Sequence, residues 1–234
     1  MKTFRFDHHN RVTDLLGRLN APLLVRTNCY FGGGTAIVLQ NGEYRLSRDV
    51  DFICADPTGY RTLREATFAS GIAGLFTTEI VELRDTRRDR YGIRTIVEID
   101  GEPISFEIVR EDRIEVTGTM DSDLNVPVLD TASQFAEKLL ANADRATDRS
   151  SMNRDAVDLA ALIRAHGFVP QEAVERTCNA YGREIGRLAH KASEMLLDPV
   201  RARDVAAGLS MDVREVVRAG TVLAREADRV WPVA

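Results

Sequence analysis

Cysteine is scarce in this chain of 234 residues: Cys29, Cys54 and Cys178 stand far apart and are odd in number. Such a set makes no disulfide framework and no zinc-ligand spacing, which points to reduced thiols in a cytoplasmic protein. Long apolar runs are missing as well. No stretch approaches the ~20 residues of a membrane span, and the first nine residues, MKTFRFDHH, lack the apolar core of a signal peptide. The four histidines have no cysteine or carboxylate at ligand spacing, and no serine or cysteine nucleophile motif is present. Neither an internal repeat nor a low-complexity tract occurs. A basic excess is also lacking. The net charge of −5 argues against a protein that coats nucleic acid through a broad basic face. The acidic excess lies wholly before Leu139, so a phosphate site in that part needs metal ions to work.

What is present changes texture along the chain. Apolar spacing predicts a helix over residues 8–19, with Val12, Leu15, Leu16 and Leu19 on one face. A short β-like run follows over 23–30, then a glycine turn, a short helix over 35–40 and a strand over 49–54. A turn at 56–59 leads to a helix over 60–69. Strands are expected over 78–83, 93–99, 104–109 and 114–117, with Asp100-Gly101 as a hairpin turn because both residues tolerate positive φ. From Thr131 the pattern is almost wholly helical, with helices expected over 131–142, 153–166, 171–181, 184–197, 200–207 and 211–230. The reading is an α+β fold: a mixed sheet with flanking helices over 1–129, then a helical domain over 130–234.

Two features carry chemistry. Asp49 and Asp51 stand two apart on a predicted strand, so their carboxylates face the same way. Like charges held that close call for a hard cation, and magnesium takes carboxylate and phosphate oxygens. Gly32-Gly33-Gly34 opens the short helix beginning near Thr35. Its bare backbone N–H groups, backed by the helix dipole, suit a phosphate. Together they describe a nucleoside triphosphate site. Each alone has a plainer reading, a flexible turn and a solvated strand face.

The run Gly33-Gly34-Thr35-Ala36-Ile37, followed by Arg45-x-Ser47-x-Asp49-Val50-Asp51-Phe52, resembles the AbiEii/AbiGii-type toxin nucleotidyltransferases of the DNA polymerase β-like superfamily. The family pattern has Gly-Gly-Thr-Ala-Leu, so Ile37 departs from it. Lys138-Leu139-Leu140-Ala141 with Arg145, and Arg154-Asp155-Ala156-Val157-Asp158-Leu159, are similar to its later motifs. The likeness covers about residues 30–163. It implies a catalytic set of Asp49, Asp51, Glu107, Lys138 and Asp158. It also implies a nucleotide-binding set of Gly33, Gly34, Thr35, Arg45, Ser47, Lys138 and Asp155. Glu107 is the choice for a third carboxylate beside the two aspartates at the metal, with Glu98 and Asp100 as rivals. Lys138 would hold the β- and γ-phosphates. Asp155 and Asp158 share a helix face and would position Lys138 or the acceptor, or merely cap and solubilise their helix. Ser47 would order the backbone near the aspartates, and Arg45 would reach phosphate or pair with Asp49.

The resemblance further implies two magnesium ions, replaceable by manganese, and transfer of a nucleoside monophosphate to RNA such as a tRNA 3′ end. It also implies a toxin with a partner antitoxin. Transfer to a small molecule or protein hydroxyl, or a nucleotide-binding module without turnover, are the other readings. Residues 84–94 hold five arginines and Tyr91, suited to an RNA backbone and a stacked base. They equally suit a solvated charged loop.

Overall fold

The computed structural model of the chain describes residues 3–145 and 148–232. The chain divides into two compact units, Met1–Ala36 with Arg48–Asp130, and Ile37–Ser47 with Thr131–Ala234.

The first unit is built on a seven-stranded mixed sheet in the order β3-β4-β5-β2-β1-β7-β6. The strands are β1 (Cys29–Gly32), β2 (Val50–Cys54), β3 (Val81–Arg88), β4 (Gly92–Ile99), β5 (Glu102–Arg110), β6 (Gly118–Asp121) and β7 (Val126–Leu129). β2 runs parallel to β5 and β1 parallel to β7, while the other pairings are antiparallel. The helices α1 (Asp7–Gly17), α2 (Ala21–Arg26) and α4 (Pro57–Ser70) belong to the same unit. At the sheet's centre Phe31, Phe52 and Phe106 are fully buried, with ring centroids 5.4 and 5.8 Å apart, and Phe76 lies 5.9 Å from Phe106. These offset rings fix the register of β1, β2 and β5, the strands that carry the candidate chemistry.

The β4–β5 hairpin turns at Asp100 and Gly101 with φ of 51° and 77°, as their sequence predicts. Three expectations fail. Residues 23–26 are helical, because the Asn20 side chain accepts a hydrogen bond from the Leu23 N–H at 3.0 Å and Pro22 sits in the first turn. Only Cys29–Gly32 continues as strand. Residues 114–117 pair with no strand. Glu111 accepts from the Arg113 backbone N–H at 2.6 Å and folds the chain there, so Ile114 and Val116 are buried without a ladder. The antiparallel pair lies further on, as β6 and β7. The strand expected over 78–83 begins at Val81 and runs through the arginine-rich segment to Arg88.

The second unit is helical. It comprises α5 (Thr131–Arg145), α6 (Arg154–His166), α7 (Gln171–Tyr181), α8 (Glu184–Leu197), α9 (Pro199–Leu209) and α10 (Val213–Val230). Helix α5 packs on α6, α7 and α8, and α10 packs on α6, α8 and α9. The buried faces of Leu139, Leu140, Leu159, Leu162, Leu196 and Leu223 form this core. Helix α3 (Gly33–Gln40) starts in the first unit and ends in the second, and the segment Ile37–Ser47 counts with the helices. Gln40 accepts from the Gln134 side chain at 2.8 Å, and the Leu46 N–H bonds the Leu209 carbonyl at 3.2 Å. Among the described residues no helix is long and apolar enough to cross a membrane.

Candidate active site

In the first unit the glycine turn and the acidic strand meet. Gly33 follows β1 with φ of +65°, a left-handed conformation that favours glycine. A Cβ built there would lie 2.5 Å from Asp51 Oδ2, so only a glycine lets the turn approach that carboxylate. The Thr35 hydroxyl donates to the Asp49 carbonyl at 2.5 Å and ties the first turn of α3 to the residue before β2. Asp51 is half-buried between the fully buried Val50 and Phe52, and Asp49 is half-buried at the mouth of the strand. Val50 and Phe52 pack on the opposite face and fix the stretch of backbone that carries Asp51.

The sheet register adds Glu107. Gly32 is opposite Asp51, Asp51 opposite Glu107, Glu107 opposite Arg94, and Arg94 opposite Arg87. Of the three candidate third carboxylates, only Glu107 is a cross-strand neighbour of Asp51. Glu98 lies in register with Val81 and Pro103, and Asp100 sits in the hairpin turn. Glu107 accepts from Arg94 Nε at 2.5 Å, and Arg94 also reaches Asp89 at 3.3 Å. Partial burial works against the charge on Arg94, but Glu107 and Asp89 outweigh it and its pKa is raised.

A hard cation fits this corner in part. Asp51 faces a turn with no Cβ in the way, and Asp49 stands one residue before β2; carboxylates of this kind are the oxygen donors such an ion takes. A third ligand requires Glu107 to leave Arg94, and among the described residues no three His, Cys, Asp or Glu side chains are gathered as a metal site.

The remaining site residues form a second cluster inside the helical unit. Asp158 is fully buried and accepts from Arg45 Nε at 2.7 Å, Arg45 Nη2 at 2.8 Å and the Tyr44 hydroxyl at 2.6 Å. Lys138 Nζ lies 2.8 Å from Asp158 and 3.0 Å from Asp155. Arg145 grips Asp155 with two bonds of 2.9 and 2.8 Å. Burial pushes the Asp158 carboxyl up, but Arg45 and Lys138 more than reverse this and hold it far below the ordinary carboxylate range. Asp155 is lowered the same way, by Lys138 and Arg145 against burial. Burial pulls Lys138 down, yet the two aspartates leave it raised, so it stays charged while nearly dry. The network has three cations against two carboxylates.

Arg45 is therefore the clamp of Asp158, not a partner of Asp49. Asp155 and Asp158 both pair with Lys138, and both are buried, unlike residues of a solvated helix face. Ser47 is buried. Sequence reasoning passed over Tyr44, whose partner lies 114 residues away, because no local spacing marks so distant a bond. It also passed over the pairing of Arg94 with Glu107. That pairing was readable in principle from the hairpin at Asp100-Gly101, which sets β4 against β5.

Comparison with known proteins places the family and the fold. The family described as "Nucleotidyl transferase AbiEii toxin, Type IV TA system" matches residues 14–225. No curated protein matches. A candidate nucleotidyltransferase from H. pylori superposes with a TM-score of 0.51 at 17% identity, covering 95% of this chain and 96% of that one. The protein JHP933 from Helicobacter pylori gives a TM-score of 0.52 at 17% identity, covering 97% and 96%. At that identity the two likenesses establish the fold.

Proposed function

The chain belongs to the AbiEii nucleotidyltransferase toxin family, and from that premise we propose that it transfers a nucleoside monophosphate from a nucleoside triphosphate to RNA, at an end such as the tRNA 3′ terminus. The acceptor hydroxyl oxygen attacks the α-phosphorus, the bond to the β-phosphate oxygen breaks, and pyrophosphate leaves. The observation that carries the reading is the approach of Gly33 to Asp51, which places a Cβ-free turn against a carboxylate. Phosphate oxygens and acidic oxygens brought that close require a cation between them.

Asp49 and Asp51 would hold magnesium, two ions in all and replaceable by manganese, which would supply positive charge to the transferred phosphoryl group and the leaving pyrophosphate. The chain's own groups do the rest. Gly33, Gly34 and Thr35 present the first turn of α3 to the phosphates. Glu107, freed from Arg94, joins the two aspartates or takes the proton of the acceptor hydroxyl. In the helical unit Lys138 is kept charged by Asp155 and Asp158, the state that the family resemblance asks of a phosphate-binding lysine. Positioning and charge neutralisation carry most of such a reaction. A cytoplasmic location and an antitoxin that silences the activity complete the proposal.

The test is incubation with each of the four labelled nucleoside triphosphates in turn, magnesium and total RNA. Label on RNA, absent for Asp49→Ala, supports the reading. Label on protein alone, or nucleotide binding without transfer, overturns it.

A further inference from the structure

The arginines of residues 84–94 remain unexplained by the nucleotide site. Their segment forms β3 and the turn into β4, and β3 is the free edge of the sheet. The turn is rigid. Asp89 Oδ1 accepts from the Tyr91 and Gly92 N–H groups at 2.7 and 3.0 Å. The Asp89 carbonyl accepts from the buried Tyr60 hydroxyl of α4 at 2.7 Å, and the Tyr91 carbonyl accepts from the Arg110 N–H at 2.9 Å. Yet the Tyr91 ring is 56% exposed, and Phe68 on α4 is 61% exposed. A ring held outward by a fixed turn is a platform, whereas a floppy loop would fold it down. Arg90 lies over Tyr91 at 4.5 Å, and Arg88 over Phe68 at 5.1 Å. The exposed Arg87 and Arg90 beside the exposed Tyr91 match a ligand with anionic links and flat bases.

The register says where such a ligand would lead. Arg87, Arg94, Glu107, Asp51 and Gly32 form one cross-strand row. Four strand spacings make it about 19 Å long, running from the basic edge to the carboxylates. An acidic protein of net charge −5 has kept this edge basic. We propose that Arg87, Arg90 and Tyr91 form the docking surface for the single-stranded end of the acceptor RNA, and that the row delivers that end to Asp51 and Glu107. This rests on the RNA-transfer reading for its purpose. Its binding claim stands apart from that reading.

The test is fluorescence anisotropy of the full chain with a fluorescein-labelled single-stranded RNA, without magnesium or nucleotide, at several salt concentrations. Wild-type protein should bind with strong salt dependence. Arg87→Ala with Arg90→Ala should weaken binding about tenfold or more and flatten the salt dependence. Tyr91→Ala should weaken it about tenfold while Tyr91→Phe retains it, since the ring face does the stacking. Arg225→Ala, an exposed arginine in the helical unit, should bind like wild type. Circular dichroism confirms that each variant is folded. Wild-type affinity in the double arginine variant overturns the proposal, as does equal binding of poly-glutamate of matched charge, which would mark an acidic protein partner. RNA binding at this edge with no label ever reaching RNA would sink the transfer reading and leave the docking surface standing.

Discussion

Gly33 and Asp158 each decide a different property. At Gly33, alanine would meet a left-handed φ and a carboxylate oxygen at 2.5 Å. Non-glycine residues pay about 1–2 kcal/mol for that conformation, and the collision falls on Asp51, the group the proposed chemistry needs. Gly33→Ala should therefore lower stability by only about 1–2 kcal/mol but lower label transfer by about 10²-fold. Urea denaturation alongside the labelling assay separates the two, and unchanged transfer would count against Gly33 as part of the site. At Asp158, removal of the carboxylate leaves Arg45 and Lys138 buried without it. Breaking a buried pair on one side costs about 3–5 kcal/mol, so Asp158→Ala should unfold at much lower urea. The same carboxylate gives a pH signature. Its folded pKa is depressed, so the unfolded chain binds the proton more readily. The stability it confers is full above the unfolded pKa of about 3.9 and drains away below it. Lys138 is the mirror case: its raised pKa keeps its contribution whole below about 10.4 and loses it at higher pH. Denaturation midpoints should be flat for this cluster between these limits and fall below about pH 4.

Elements differ in how far they could be read from the chain. The helices of the second unit followed their apolar period, and the β4–β5 hairpin followed from a dipeptide that tolerates positive φ. Those signals are local, and the structure keeps them. The glycine turn and the acidic strand were equally legible, since both lie within twenty residues of each other. Residues 23–26 misled because apolar Leu23, Leu24 and Val25 suit a buried strand as well as a helix, and one side-chain bond from Asn20 decides between them. Asn20→Ala should cost about 1 kcal/mol, the usual loss of an N-terminal cap. A shift in urea midpoint of that size with unchanged denaturant slope would confirm the cap. No shift would mean that packing of Leu23 and Leu24 alone holds α2. Residues 114–117 misled for the opposite reason, since alternating burial survived without strand pairing. Arg45 and Tyr44 were unreadable because their partner is more than a hundred residues distant, and only the folded chain brings the two segments together.

At the scale of the whole molecule, the chain's division crosses its sequence order. Residues 37–47 count with the helices that begin at Thr131, bound there through Gln40, Leu46, Tyr44 and Arg45. A cut at the apparent boundary near 130 would remove two of the three groups that satisfy Asp158, and leave Lys138 as its one partner while Lys138 and Arg145 share Asp155. Domain stabilities are about 5–15 kcal/mol, so losing a buried partner worth about 3–5 kcal/mol is a large share. A fragment of residues 131–234 should accordingly be helical but unfold with low cooperativity in urea, as followed by circular dichroism. A synthetic peptide of residues 37–47, added in excess, should bind it and raise the midpoint by mass action. The same peptide with Arg45→Ala should not, because it brings the tyrosine and the apolar turn of α3 without the fork that grips Asp158. A fragment already as stable as the helical unit in the full chain, indifferent to the peptide, would show that the cluster is a passenger of the fold. Dependence on Arg45 would instead make this short segment part of the core it crosses into, and would explain why an arginine lies fully buried at its centre.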